Sequence, residues 1–531
     1  MSRFMDSQKL DNTLFLTTIG NVLLGAFCLL VLFHWDGRAL FVPRRKQVWT
    51  PRGIPLIGNL LTMLFSVERD LEWYNEKRKE RRALKLGEEV PLSLTTPMRR
   101  LLDVSNPIWL EHIERKAFQR YGKPKILKEA SAEFLGRGIF VSDGEHWKFQ
   151  KQIFSSIFTS ENIRANFQFD VGDHLERLIK LIDIKARNGK EFDFQELCHD
   201  FTLSMFGQMA FGKSLDIESE NFKGKTFARA LDLSQIHLRR RLINPFWKIT
   251  ELLTGRRNEI NKVVKDLNDF TYGCINERRL LAPSSEANIP IPDFLDFLLN
   301  YKDNDGKALS DQFIRDSMVS LLVAAGDTTA QLLTWTMYQL IRNPVWYKAV
   351  QAEAEEVMKF GGVKFDNFED QLNTIACLNE TLRLHPLAPR NSLVALKDDL
   401  LPSGTEVKKG DILFWSTWGM GRDEYLWGSD AAKYKPERWL TEDNTIVKET
   451  CWKLHAFGGG PRICMGKQLA MFEAVATLST ILDQFDFKLS SNYDQTVEMI
   501  PGENLPRYKA TVLLDMNEPL RVFATRRTTY N

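Results

Sequence analysis

The chain has 531 residues, with 71 lysines and arginines against 69 aspartates and glutamates, so its formal charge is only +2. That balance argues against nucleic-acid binding, and 44% hydrophobic with 26% charged residues excludes a disordered, collagenous or polytopic membrane protein. No internal repeat and no Gly/Ser- or Pro-rich linker divides the sequence beyond Asn59, so one large domain behind a short N-terminal segment is expected.

From Leu14 to Phe33 the sequence reads LFLTTIGNVLLGAFCLLVLF, about the 20 apolar residues that a bilayer crossing requires. His34, Trp35 and Asp36 follow it where a signal peptide would have a small-residue cleavage site, which favours an uncleaved anchor. Arg38, Arg44, Arg45 and Lys46 lie on its carboxyl side, whereas Arg3 and Lys9 are offset by Asp6 and Asp11. The positive-inside rule then places residues 1–13 in the lumen, 14–33 in the bilayer and the body in the cytosol, a single-pass arrangement suited to the endoplasmic reticulum membrane. Residues 34–59 read as a basic connector ending in Pro51-Arg52-Gly53-Ile54-Pro55-Leu56-Ile57-Gly58-Asn59, whose prolines stiffen and whose glycines turn the chain. Residues 60–531 remain for the domain.

Within the domain, Trp147 and Lys151 stand four apart, on one face of a helix. Met318 to Ile341 is a second apolar stretch, interrupted by a single formal charge, Asp327. Ser310 and Asp311 supply an N-cap and a negative first turn, Arg342 a basic end and Pro344 a stop. A helix from Ser310 to Arg342 spans roughly 50 Å and reads as central and buried rather than transmembrane. Asp327-Thr328-Thr329 inside it needs a reason, the plainest being a threonine bonded back to its own helix beside a solvated acid. Glu380 and Arg383, three apart, are by themselves an ordinary surface pair.

The six cysteines are scattered without a C-x-x-C pair, as in a reduced chain of mostly inert thiols. Cys464 differs. It closes Phe457-Gly458-Gly459-Gly460-Pro461-Arg462-Ile463-Cys464-Met465-Gly466 and precedes an apolar-periodic helix, whose unpaired N–H groups and dipole favour a thiolate, the form that binds iron. The glycines let the backbone pass close under a flat ligand, and Arg462 sets a cation near its anionic groups. A phosphate-binding loop is excluded by the spacing from Gly460 to Gly466 and by Gln468 after Lys467.

This segment resembles, position for position, the haem-binding signature F-x-x-G-x-R-x-C-x-G of the cytochrome P450 haem-thiolate monooxygenases. The resemblance implies haem b with Cys464 as axial thiolate ligand, beside Phe457, and Arg462 on a haem propionate. Trp147 and Lys151 are implied at a propionate too, with Lys in place of the usual Arg, which keeps the charge and loses the bidentate fork. Leu393 stands where a further cation is common, and Arg390 is the substitute at hand. Glu380-Thr381-Leu382-Arg383 and Pro436-Glu437-Arg438-Trp439 resemble the family's paired motifs, Trp standing where Phe is commoner; Glu380, Arg383 and Arg438 are then a buried structural triad. Ala324-Ala325-Gly326-Asp327-Thr328-Thr329 is similar to the oxygen-activation pattern, with Ala325 in the usual Gly place, and makes Asp327 and Thr328 the catalytic proton carriers.

The fold so implied is mainly α, with a small β portion near the start of the domain, preceded by one transmembrane helix. No G-x-G-x-x-G follows a strand, so electrons are expected from a separate reductase, and the resemblance implies an NADPH-dependent diflavin one. Trp147-Lys148-Phe149-Gln150, Asn379 to Pro386, Asp398 to Gly404 and the cysteine loop most resemble plant and fungal fatty-acid and alkane ω-hydroxylases. O2 and a lipid, with the ω-position of a long-chain fatty acid as target, are the implied substrates, and 35 Phe and 13 Trp would suit an apolar channel. A haem-thiolate isomerase or dehydratase, which commonly lacks the acid–alcohol pair, and a non-catalytic haem-binding protein are the alternatives. Arg239-Arg240-Arg241 reads as a solvated or membrane-facing basic run.

Overall fold

A computed structural model describes residues 2–84, 90–97, 99–158, 160–213, 215, 222–280, 293–303, 305–500, 505–509 and 511–528, the side chains of 2–17, 160–167 and 222–223 excepted. The chain forms two units, one from Met1–Gly122 with Ser392–Trp415 and the other from Lys123–Asn391 with Ser416–Asn531.

The first unit begins with helix α1, Ser2–Phe33. It starts twelve residues before the apolar stretch, because nothing between Ser2 and Leu14 is a helix breaker. The side chains of Leu14 to Thr17, like those of residues 1–13, lie outside the described ones. Among the described residues no helix is long and apolar enough to cross a membrane. The connector is packed rather than loose. The Asn59 side-chain amide donates to Pro51 O (3.1 Å), its carbonyl accepts from Thr95 N (3.0 Å), and its backbone N–H donates to Thr95 O (2.7 Å). Gly58 lies at φ +68°, where a Cβ would stand 2.3 Å from Thr95 O, so this approach is open to glycine alone.

Thr95 belongs to a five-stranded sheet of β1 (Ser93–Thr96), β2 (Arg99–Asp103), β3 (Tyr121–Gly122), β4 (Arg390–Ala395) and β5 (Ile412–Ser416), in the order β1-β2-β5-β4-β3. β1 and β2 are antiparallel (Ser93 opposite Leu102), β2 and β5 parallel (Leu101 opposite Ile412), and β3 and β4 antiparallel (Tyr121 opposite Ala395). The β portion is therefore not confined to the start of the domain. Ile412-Leu413-Phe414-Trp415 enters the sheet interior as an unbroken apolar run, buried beyond its first residue, and such a run carries no alternation to distinguish it from a helix segment. Trp73, Tyr74, Leu92, Leu94 and Phe414 form the core of this unit.

The second unit is mainly helical. Its elements include α2 (Gly144–Ile157), α3 (Phe194–Phe211), α4 (Phe222–Ile243), α5 (Asp311–Arg342), α6 (Leu372–Leu384) and α7 (Lys467–Gln484), with a three-stranded sheet of Phe192–Asp193, Phe485–Leu489 and Arg521–Arg526. α5 is the expected central helix. Ser310 Oγ caps it by accepting from Phe313 N (3.2 Å), and its residues from Ile314 to Leu340 are buried apart from one stretch described below.

The acid and base of α6 are not a surface pair. Glu380 and Arg383 have side chains with 0% exposure, joined through Arg383 Nη2 to Glu380 Oε1 (2.6 Å) and Nε to Oε2 (2.7 Å). Arg383 also donates to the carbonyls of Gly421, Ala431 (2.5 Å) and Lys433 (2.8 Å). Arg438 joins them with a difference: its Nε stands 3.6 Å from Glu380 Oε1, while its Nη2 pairs with Asp430 and its Nη1 donates to Trp427 O (2.9 Å). The rest of Glu380 is filled by Lys435 N–H (2.7 Å) and by Trp439 Nε1–H (3.0 Å). The Trp that stands where Phe is commoner thus supplies a hydrogen bond that Phe lacks. Trp439→Phe is expected to lower stability by about 1.5–3 kcal/mol, the range for a hydrogen bond to a charged group, read as a lower urea midpoint. An unchanged midpoint would mean that Glu380 is satisfied without the indole.

Candidate active site

The cysteine loop is built on an aromatic floor. A Cβ on Gly459 would stand 2.2 Å from the Trp452 ring, so the loop backbone lies directly on that indole. Cys464 N–H donates to Phe457 O (2.8 Å), closing the loop just before α7, and Lys467 Nζ lies 5.6 Å over the Phe457 ring. The Cys464 thiol is solvent-accessible yet surrounded by protein, as on an interior surface. Burial pushes it up, and the Gly466 N–H and the Lys467 ammonium oppose the shift without reversing it. The helix start therefore does not by itself make a thiolate here. A cation bound at the sulfur would, because a coordinating thiol loses its proton.

Arg462, Trp147 and Lys151 meet as a cluster. The Arg462 guanidinium lies 4.4 Å from the Trp147 ring centroid and Lys151 Nζ 5.5 Å from the same centroid. Arg462 also donates to Ser142 O (3.0 Å) and to Asp143 Oδ1 (2.6 Å). Trp147 is buried on α2. Arg390 is half-buried on β4, where desolvation pulls it down to about 10 against the opposing influence of Tyr508.

The arginine run on α4 departs from expectation. Arg241 is fully buried: it donates to Glu251 Oε1 (2.7 Å), Glu133 Oε2 (2.6 Å) and Ala130 O (2.8 Å), and its guanidinium lies 4.3 Å from the Trp247 ring centroid and 4.8 Å from that of Phe134. Arg239 is buried too and only Arg240 is exposed, so the run is a helix side turned inward at two of its three positions.

Between Ile314 and Leu340, Val323, Ala324, Ala325, Asp327 and Thr328 are the partly exposed residues of an otherwise buried stretch of α5. The Thr329 side chain lies near the Glu473 carboxyl on α7 and opposes the rise that burial imposes on it. These two residues lie roughly one turn beyond Ala325 and two to three turns beyond Cys464, so the opened stretch and the accessible sulfur flank the same helix pair. Glu473 is wholly buried, and desolvation drives its carboxyl well above the ordinary range.

Asp327 is not a solvated acid. It accepts from Gln235 Nε2 of α4, and His199 Nδ1 of α3 stands 3.4 Å from its Oδ1. Thr202 Oγ1, one turn along α3, donates to Gly326 O (2.6 Å). Thr328 Oγ1 donates to Ala324 O (2.6 Å), the local bond expected of a mid-helix threonine. Asp232, one turn before Gln235, is accessible yet surrounded by protein and is pushed up to about 7, first by desolvation and then by the Asp327 charge. Sequence reasoning missed His199, Gln235, Asp232 and Glu473. The first three lie far along the chain from Asp327 and carry no spacing signal, whereas Glu473 was visible as a lone acid in an apolar helix.

These residues fit a haem. One accessible sulfur ends a glycine loop, small side chains open the central helix, and two cations flank an indole. Among the described residues, no group of three or more His, Cys, Asp or Glu side chains offers a rival metal site. None of the six cysteines is tied into a disulfide.

Comparison with known proteins agrees. The cytochrome P450 family profile matches residues 52–511. Cytochrome P450 monooxygenase cyp1 of Mycosarcoma maydis is 33% identical over 511 residues, 93% of this chain and 78% of the relative. Cytochrome P450 704B1 of Arabidopsis thaliana is 28% identical over 517 residues, 90% and 95% of the two chains, and cytochrome P450 94A1 of Vicia sativa 28% over 446 residues, 82% and 84%. With the cysteine loop and the opened helix in place, the chain belongs to the cytochrome P450 family and is a haem-dependent monooxygenase.

Proposed function

We propose that this monooxygenase hydroxylates an aliphatic lipid at its terminal methyl group, the ω-position of a long-chain fatty acid. Cys464 would hold the haem iron through its sulfur, Arg462, Trp147 and Lys151 would hold the propionates, and Phe457 borders the loop. Bound there, haem would supply the redox chemistry that activates dioxygen. Electrons come from a separate NADPH-dependent diflavin reductase.

The observation that carries the substrate reading is the charge around the opened stretch of α5. Burial first, and then the Asp327 charge, hold the Asp232 carboxyl up at about 7 against the opposing pull of His199, so a further carboxylate is disfavoured there and the methyl end is the end that approaches. Val323, Ala324 and Ala325 offer that end a surface of small apolar groups. Motif resemblance to plant and fungal ω-hydroxylases supports the same reading. A terminal C–H bond is no weaker than its neighbours, so selectivity rests on presenting the methyl group alone.

Asp327 relays protons and Thr328 places one at the oxygen side. With its hydrogen engaged by Ala324 O, Thr328 offers a lone pair to the open side and donates only on releasing that carbonyl. This acid–alcohol pair favours oxygenation over isomerisation or dehydration.

Membrane anchoring by Leu14–Phe33, with a cytosolic catalytic domain on the endoplasmic reticulum, belongs to the same proposal. The described side chains of α1 support it, since Val22, Leu23, Leu24, Phe27 and Leu29 are all exposed and turn apolar surface outward around the helix. In the second unit Phe246, Ile249, Leu252 and Leu253 form another exposed apolar ridge, the sort of surface that enters a lipid interface.

Removal of Met1–Phe33 is expected to weaken membrane association without abolishing it, measured by vesicle flotation; complete retention would remove the anchor. Cys464→Ala should abolish the red-shifted Soret band of the reduced carbon monoxide complex, whereas Thr328→Ala should keep the band and divert cofactor consumption from product to hydrogen peroxide. A parent-like band in the first variant, or unchanged coupling in the second, would overturn the respective assignment. Purified protein with reductase, screened against fatty acids, fatty alcohols, alkanes and sterols, should give terminal alcohols from long aliphatic chains. Oxidation of rigid ring substrates alone would refute the lipid reading and leave the monooxygenase standing.

A further inference from the structure

Behind Asp327 lies a titratable group that the reading above does not use. The His199 imidazole bridges two residues of α5 four apart: Nδ1 stands 3.4 Å from Asp327 Oδ1, and Nε2 stands 2.8 Å from the amide nitrogen of Gln331. Gln235 holds the other Asp327 oxygen from α4. The charged groups around the ring are Asp327 from α5, Asp232 from α4 and Asp515 from the C-terminal segment, with Lys509 acting on the last two. Asp515 is held near α5 because Trp335 Nε1 donates to the adjacent Leu514 O (2.7 Å).

Burial by itself would strip the ring of its second proton. The Asp327 contact, followed by the Asp515 and Asp232 charges, outweighs burial and pushes His199 up to about 9. The ring is therefore an imidazolium at neutral pH, and an imidazolium needs two acceptors. Asp327 Oδ1 is one. Gln331 supplies the other: its Oε1 is buried without a donor, and a half-turn of the amide sets that oxygen on Nε2–H. The His199 side chain is 28% exposed, so water reaches it.

We propose that His199 is a positioning residue for dioxygen activation, an imidazolium that fixes the Asp327 carboxylate and supplies it with a proton as turnover draws one through it. In the reloading step the imidazolium Nδ1–H bond breaks as an O–H bond forms on Asp327, and Asp327 gives up its own proton toward the oxygen side, which restores the carboxylate. Water then returns a proton to the ring nitrogen. The inference rests on the assignment of Asp327 as the proton relay.

The test uses full-length holoenzyme. With 13C-labelled histidine, the His199 resonance, assigned by its loss in His199→Gln, should titrate near pH 9 and should fall toward the ordinary value of about 6.5 in Asp327→Asn. In turnover, His199→Gln should keep the carbon monoxide spectrum while product per cofactor consumed drops about 10-fold or more, within the range for a lost acid–base contribution. The parent's coupling should hold below about pH 9 and fall above it, and the variant should lack that alkaline limb. His199→Lys, which restores a cation, should recover part of the coupling. A His199 resonance that titrates near 6.5 in the parent, or that does not move in Asp327→Asn, overturns the proposal whether or not His199→Gln folds. Loss of coupling in Asp327→Asn with none in His199→Gln removes His199 and leaves Asp327; unchanged coupling in both removes the Asp327 relay itself.

Discussion

Glu380 and Arg383 have no contact with solvent, and each must find in the protein what water would have given it. An unpaired charge at such a depth costs several kcal/mol, so the backbone around α6 is arranged to meet the need. The carbonyls of Gly421, Ala431 and Lys433 turn toward one guanidinium, and the Lys435 N–H and the Trp439 indole turn toward one carboxylate. The chain between β5 and the cysteine loop is thus threaded around a polar centre. Gly421 lets it pass at closest range, since a Cβ there would meet Arg383 O at 1.8 Å. The path that leads to Cys464 is fixed by hydrogen-bond demand as much as by apolar packing.

α5 answers a related problem differently. A helix buried for most of its length can carry an acid only if its neighbours supply the donors. Gln235 from α4 and His199 from α3 do so at Asp327, and Thr202 adds a donor to the Gly326 carbonyl. The acid sits beside the small residues Val323, Ala324 and Ala325, which leave space at the same height. Polar chemistry and room for a ligand occur together because both need the helix surface to stop packing against apolar side chains.

The elements legible in the sequence were those whose signal is local. Ser310 and Pro344 bracket α5 as read, and the cysteine loop lies just before α7, closed by the Cys464 N–H on Phe457 O. Trp147 and Lys151 share a face because four residues make about one turn. What stayed hidden depended on contacts between distant segments. β5 is an apolar run without alternation, and Asp430 takes the strongest share of Arg438 across a turn. His199 reaches Asp327 only through the packing of two helices. Arg241 was misread for the same reason: three consecutive arginines look like a solvated run until Glu133, Glu251 and two aromatic rings close around the third.

The bond from Thr202 to the Gly326 carbonyl also bears on how a substrate gains entry. That carbonyl lies at the opened stretch of α5, and the bond ties α3 to it at 2.6 Å. Drawing the two helices apart would strand a buried donor and loosen its acceptor, at a cost of about 1–3 kcal/mol. The α3 side of the site is therefore a hinge post rather than a door. Breathing that admits a substrate falls to walls not stapled to α5 in this way, and the speed of substrate capture becomes a property of those walls, separable by mutation from the rate of the oxidation itself.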